Sequence, residues 1–219
     1  MSRSAFSKPP LVIAVDGPAA SGKGTIARAL ARHFGLPHMD TGLLYRAVAL
    51  NLFRFGGDPG NEFEAVRACD LSAVSFDDDE LRSEIVGSYA SRISVYPAVR
   101  AHLLERQRMF AGQAGGAVLD GRDIGTVIAP DAAVKLFVTA SPEIRAGRRL
   151  AELTGRGMNV HFEEVLADIR ARDERDSGRQ AAPLVKADDA LLLDTSEMDV
   201  EQAAAAAIGL VEDRLASAR

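Results

Sequence analysis

Residues Gly17-Pro18-Ala19-Ala20-Ser21-Gly22-Lys23-Gly24-Thr25 join two spaced glycines to a lysine and a hydroxyl. That combination suits polyphosphate. Gly17 and Gly22 allow a tight loop whose backbone N–H groups turn inward, and the N-terminus of a following helix adds partial positive charge. Lys23 then reaches the β- and γ-phosphates of a nucleoside triphosphate. The apolar run Leu11–Asp16 leads straight into the loop, and a helical pattern follows it. A strand, loop and helix in that order are the context that separates a Walker A phosphate loop from a chance glycine turn. The usual motif carries Ser or Thr directly after the lysine, whereas here Gly24 intervenes and the hydroxyl belongs to Thr25.

Three further segments carry charge where a ligand could use it. Asp40-Thr41-Gly42-Leu43-Leu44-Tyr45-Arg46 follows a short apolar run and opens a helix, so Thr41 and Arg46 can face one edge together. An ordinary N-cap with a surface arginine would look the same. Asp120-Gly121-Arg122-Asp123-Ile124-Gly125-Thr126 ends another apolar run, and two acids around one arginine between glycines favour ligand contact. In Arg172-Asp173-Glu174-Arg175-Asp176-Ser177-Gly178-Arg179, helical spacing puts Arg172, Arg175 and Arg179 on one face with Asp176. A solvated salt-bridge helix explains that last pattern equally well.

These segments need a scaffold, and the hydrophobic pattern supplies one. Short β-rich runs recur at 11–16, 36–39, 117–120, 134–138 and 191–193, separated mostly by helical patterns at 23–34, 42–55, 96–113, 142–153, 162–176 and 200–215. The alternation predicts an α/β fold of the P-loop NTPase type, a parallel sheet with helices on both faces. In such sheets ligands collect beyond the carboxyl ends of the strands. The phosphate loop, 40–46, 120–126 and Asp194-Thr195-Ser196 are therefore expected to converge on one cleft. Residues 1–10 read as a disordered leader and 11–219 as a single domain. The stretch from about 56 to 93 fits the alternation poorly and reads as an inserted lobe on the substrate side, reaching to about 100. Its acidic run Asp77-Asp78-Asp79-Glu80 reads as a solvated turn without a function.

Composition narrows the classes. With 219 residues, 47% of them hydrophobic, the chain can bury one substantial core. A formal charge of −5 argues against a polynucleotide partner. Cys69 is the sole cysteine, which fits a reducing cytoplasm, and no apolar run approaches the ~20 residues of a membrane span. A monomer is expected.

Together the segments 17–25, 40–46, 120–126 and 172–179 resemble the bacterial cytidylate kinase family, over roughly 11–193; the Lys-Gly-Thr order is itself similar to nucleoside monophosphate kinases. The resemblance implies transfer of the γ-phosphoryl group of ATP to CMP and dCMP, with Mg2+. The donor would lie on residues 17–25. Arg46, Arg122 and Arg179 would grip the acceptor phosphate, with Arg175 joining the clamp, while Arg172 and Asp176 meet the sugar. Lys23, Arg122, Arg175 and Arg179 would carry catalysis. Thr41 and Asp120 would complete the acceptor site, and Ser91, Arg100 and Asp123 would read the cytosine. Residues 56–100 would form the acceptor lobe, and 150–161, with Gly155-Arg156-Gly157, a short lid.

Phosphoryl transfer asks mainly for alignment and positive charge. The acceptor is a phosphate already largely dianionic at neutral pH, so no general base is required. His33, His38, His102 and His161 accordingly read as dispensable for chemistry. Thr25 and Asp120 are the candidate neighbours of magnesium, which keeps most of its waters. Two other readings stay open: a kinase for UMP, AMP or a small alcohol such as shikimate, and a nucleotide-switched binding module.

Overall fold

The computed structural model describes residues 10–217, so the expected leader, apart from Pro10, lies outside the described residues. Five strands, β1 (Val12–Asp16), β2 (His38–Asp40), β3 (Ala117–Gly121), β4 (Val134–Thr139) and β5 (Leu191–Asp194), form one parallel sheet in the order β2-β3-β1-β4-β5. Each coincides with an expected run to within a residue or two.

Strand periodicity explains why both faces are covered. Successive side chains point to opposite faces. Ile13 and Val15, with Val118, Val134, Leu136 and Val138, pack against α1 (Lys23–Phe34) and α8 (Val200–Ser217). Ala14, with Ala117 and Leu119, packs on the other face with Ala111 at the end of α5 (Pro97–Ala111). Helix α1 turns Ile26, Ala27, Leu30 and Ala31 inward, and α8 meets it through Ala203, Ala207 and Val211, small residues one turn apart that permit close approach. Gly35, at φ 64°, ends α1 in the left-handed conformation that glycine adopts without strain.

Helix α2 (Thr41–Arg54) leads into the stretch that fits the alternation poorly, and its departure has a simple cause: that stretch is helical and contributes no strand. It holds α3 (Glu62–Arg67), a 3-10 turn (Asp79–Arg82) and α4 (Glu84–Ile93). These pack with α2 and α5 in a separate core of Leu50, Leu52, Leu81, Val86, Ile93 and Leu103. The acidic run has a role after all. Asp78 caps the 3-10 turn by accepting from the Glu80 N–H, and Arg54 donates to Asp78 (2.6 Å) and Glu80 (2.5 Å).

On the far side, α6 (Pro142–Gly155) and α7 (Phe162–Ser177) pair through Ala146, Leu153, Val165, Leu166 and Ile169. Ser141 caps α6 as its Ser-Pro-Glu sequence suggests. About half of 150–161 is thus the end of α6, and the rest connects it to α7. Among the described residues, no helix is long and apolar enough to cross a membrane.

The strand order places β3 beside β1, with Asp16 in register with Gly121 and Asp40 with Asp120. The loops leaving β1 and β3 are therefore neighbours at the carboxyl edge. Gly116, which starts β3 at φ 84°, is needed at that seam: a Cβ there would lie 2.3 Å from the Leu11 carbonyl oxygen. Gly116→Ala is expected to cost about 2 kcal/mol and to lower the Tm by roughly 4–8 °C, measured by thermal denaturation; an unchanged Tm would contradict this account of the seam.

Candidate active site

The phosphate loop is shaped by close approach. A Cβ on Gly17 would stand 2.0 Å from the Val138 carbonyl oxygen, so only glycine lets the loop leave β1 against β4. Ala20 takes a left-handed φ of 58°, and Gly22, at φ 86°, sits at the N-cap of α1. No side chain caps that helix, and its first turn carries no acid. Its leading N–H groups are therefore available to an anion. Lys23 arches back to donate to the Pro18 carbonyl (3.3 Å). Burial, reinforced by the Arg122 charge, pulls the Lys23 pKa down to about 8, against the pull of Asp120, Asp40 and Asp176.

Across the crevice, Thr41 donates its hydroxyl to the Asp120 carbonyl (2.8 Å), fastening the start of α2 to the end of β3. Arg46 projects from α2 and donates to the carbonyls of Leu81 (2.7 Å) and Ser83 (3.2 Å), which the acid-braced 3-10 turn presents. Burial lowers its pKa to about 10, helped by Arg172 and Arg149. Arg122 pairs with Asp176 through Nε and Oδ2 (2.7 Å). Burial opposes the Arg122 charge, but Asp176, Asp120 and Asp40 outweigh it and hold its pKa above the usual value. Arg179 donates to the Asp176 carbonyl (3.2 Å) and approaches its carboxylate (3.4 Å). Burial resists ionisation of Asp176, yet Arg122 and Arg179 keep it below the usual carboxylate range.

At the other end of this cavity Arg100 and Asp123 form an ion pair of 2.5 Å with side chains 11% and 7% exposed. Arg100 also donates to the Ser94 carbonyl and lies 5.5 Å above the Tyr45 ring. Ser91, Arg46, Arg122, Arg172, Asp176 and Arg179 line the same cavity. A second cavity adjoins it, sharing Arg46, Arg122 and Arg172, and extends to Lys23, Gly24 and Thr25. Phosphate loop and arginines thus face two adjoining cavities with Arg46, Arg122 and Arg172 between them.

Two expectations need correction. Arg175 lies outside both cavities: its Nε donates to Ser91 Oγ (3.2 Å), and it lines a separate hollow with Val95 and Pro97. The common face of Arg172, Arg175 and Arg179 also fails, because α7 ends at Ser177 and Arg179 belongs to the chain beyond it. Asp194-Thr195-Ser196, expected to meet the phosphate loop at the carboxyl edge, does meet it, through Thr195 and on the donor side. Thr195 lines a third hollow on the other side of the phosphate loop, with Ile26, Met198, Val200 and Ala203, and its hydroxyl donates to the Ser21 carbonyl. Arg148 is pinned there by donating to Thr195 Oγ1 (3.0 Å) and O (2.6 Å). Being mainly apolar and beside the loop, this hollow suits a base rather than a phosphate.

Several contributors escaped sequence reading. Asp16 accepts from the N–H groups of Ile124 and Gly125 (both 2.8 Å), although burial raises its pKa to about 6. It thereby anchors the π-helical turn Ile124–Ile128 and the Arg122-Asp123 pair before it. The only signal was a carboxylate ending a buried strand, which read simply as the end of an apolar run. Tyr45 stood inside a quoted segment without a role. His38 belongs to no phosphate motif, yet its Nε2 sits 2.7 Å from Asp120 Oδ1.

Oxygen donors cluster where magnesium would be expected. The Asp120 carboxylate hangs over Gly24, whose added Cβ would be 3.5 Å from Oδ2, and Thr25 accepts from Arg28 at 3.2 Å. Burial and the neighbouring Asp120 raise the Asp40 pKa, as expected for two acids side by side. Among the described residues no group of three or more His, Cys, Asp or Glu could hold a metal by itself.

The chain is similar to known proteins along most of its length. The family described as cytidylate kinase matches residues 13–213. A cytidylate kinase of Xanthobacter autotrophicus is 60% identical over 208 residues, covering 94% of this chain and 99% of the relative. One from Methylocella silvestris is 58% identical, covering 92% and 94%, and one from Brucella suis is 52% identical, covering 98% of both. A solved structure of an uncharacterized protein from Eubacterium ventriosum shares the fold, with a TM-score of 0.55 at 18% identity over 93% of this chain and 98% of that one. A match along nearly the whole chain, meeting a phosphate loop and a cluster of arginines around one crevice, settles the family: the chain belongs to the cytidylate kinases.

Proposed function

We propose that the chain transfers the γ-phosphoryl group of ATP to CMP, and also to dCMP, giving the diphosphate and ADP. The single observation that carries this is the pair of adjoining cavities that share Arg46, Arg122 and Arg172, one reaching Lys23 and the other the Arg100–Asp123 pair. ATP lies with its phosphates on residues 17–25 and its base in the hollow lined by Ile26, Arg148 and Thr195. The acceptor phosphate meets Arg46, Arg122 and Arg179, and its sugar meets Arg172 and Asp176. Thr41 and Asp120 hold the floor between the two nucleotides.

The chemistry needs little else. Negative charge spreads over the oxygens of the moving group, and Lys23 with the arginines answers it from fixed positions. The acceptor is already an anion, so no side chain has to take a proton from it. Magnesium, when bound, neutralises donor phosphate charge, with Thr25 and Asp120 as the protein atoms that would hold it. Residues 56–100 serve as acceptor lobe and 150–161 as lid, keeping water from the donor. Arg175 acts through Ser91, by setting a residue of the base site.

Cytosine is favoured over uracil by the Arg100–Asp123 pair. Asp123 can accept from the N4 amino group while Arg100 or Ser91 donates to N3 and O2. Uracil presents a carbonyl where the amino group would be, opposite a carboxylate that cannot donate.

Lys23→Ala is expected to lower kcat by at least about 100-fold with little change in thermal stability, read by a coupled ADP-release assay and denaturation. Because free Lys23 titrates near 8 and polyphosphate raises that value, ATP binding at pH 8.5 should take up protons and at pH 6.5 take up far fewer. Calorimetry in buffers of different ionisation enthalpy checks the sign, and Lys23→Arg should remove the uptake. Asp123→Ala is expected to weaken CMP binding by roughly 10- to 100-fold while leaving ATP affinity near wild type; unchanged CMP affinity would overturn the base assignment. A panel of CMP, dCMP, UMP and AMP tests the acceptor directly.

A further inference from the structure

Resting on that reading of two nucleotides in one crevice, we propose that Arg145 and Asp173 are positioning residues that set the phosphate loop against the acceptor-binding side chains of α7. Neither touches either nucleotide cavity.

Arg145 sits in the first turn of α6 with its side chain 3% exposed, and four of its five N–H donors are used. Its Nε donates to the carbonyl of Ala140, just past β4 (2.8 Å). Its Nη1 donates to the carbonyl of Ala19, in the phosphate loop (3.3 Å). Nη1 and Nη2 together fork onto the Asp173 carboxylate on α7, at 2.9 and 2.6 Å. One planar guanidinium therefore joins the central sheet, the donor loop and α7, in a geometry that a lysine cannot reproduce.

What α7 carries gives this link its consequence. Arg172 precedes Asp173 and lines both nucleotide cavities. Asp176, one turn further on, holds Arg122 by a 2.7 Å ion pair and accepts from Arg179 through its carbonyl. Rotating or sliding α7 relative to the phosphate loop would move all three arginines away from the donor. In-line transfer tolerates little of this, since a displacement of about 1 Å can cost on the order of 100-fold in rate. The Thr195 hydroxyl holds the loop at Ser21 from the β5 side, but toward α7 Ala19 and Ala20 rest on the α6–α7 cluster through small apolar side chains, which fix contact but not direction. The fork supplies the direction.

Loss of an ion pair that only stabilised the fold would lower the Tm and the active fraction, leaving the affinities of the folded molecules intact. Positioning predicts instead that each nucleotide is felt at the other's site through the fork, a coupling that the two binding constants measure directly. The test is the Kd for CMP, by calorimetry, with and without a saturating non-hydrolysable ATP analogue, in wild type, Asp173→Asn and Arg145→Lys. Wild type should bind CMP more tightly when the analogue is present, and each variant should shrink that ratio by about fivefold or more, with kcat falling further than KM rises. Asp173→Glu, which keeps the charge and can still meet the guanidinium, should recover part of the ratio. Arg145→Lys stands in for the amide variant if that one fails to fold. A wild-type ratio in folded variants, or a wild type without any such coupling, would overturn the inference. A wild type that binds CMP but does not phosphorylate it would instead refute the proposed function.

Discussion

Like charge crowded into a confined space is the constraint on which this structure turns. Lys23, Arg46, Arg122, Arg172 and Arg179 face connected cavities, partly out of water, where each raises the cost of charging the others. The effect is visible in Lys23 and Arg46, both pulled below their ordinary pKa values by burial first and a neighbouring arginine second. Such a cluster is stable before nucleotides arrive only if protein acceptors offset it. Asp176 answers Arg122 and Arg179, Asp123 answers Arg100, and the carbonyls of Leu81 and Ser83 answer Arg46. Charged side chains are in this way held near their working positions by groups that phosphate oxygens can replace, so little reorganisation remains for the moment of reaction.

The same requirement explains parts of the molecule that look remote from chemistry. The acidic run at 77–80 is exposed, but by bracing the 3-10 turn through Arg54 it presents the two carbonyls that hold Arg46. Asp16 spends its carboxylate on two backbone N–H groups, and the turn it anchors fixes where Arg122 and Asp123 leave β3. Parallel pairing of β1 with β3 makes the phosphate loop and the Asp120–Asp123 segment neighbours although about a hundred residues separate them. The ligand edge of a parallel sheet collects these loops because all strands end there together.

Much of this was legible in the chain. Every strand of the sheet lay within a residue or two of an expected run, most plainly the central β1 and β3, whose residues are nearly all buried, on both faces. The helices beside the sheet showed their caps and periods. The region 56–93 was readable only as an exception: its short helices pack against α2 and α5 instead of the sheet, so no alternation marks them.

By itself the sequence determined the parallel α/β scaffold, the phosphate loop and the set of arginines available for an acceptor, because strand periodicity, glycine conformation and charge are local properties. Only the tertiary structure decided how those charges are shared: Arg175 went to Ser91 and away from the cavities, Thr195 to the donor side, and His38 to Asp120. It also joined Arg145 to Asp173 and Ala19. Pairing of this kind depends on distances across the fold, and a long side chain on a helix can reach several partners. Which one it meets is settled by how the helices rotate and pack, a quantity no single segment encodes.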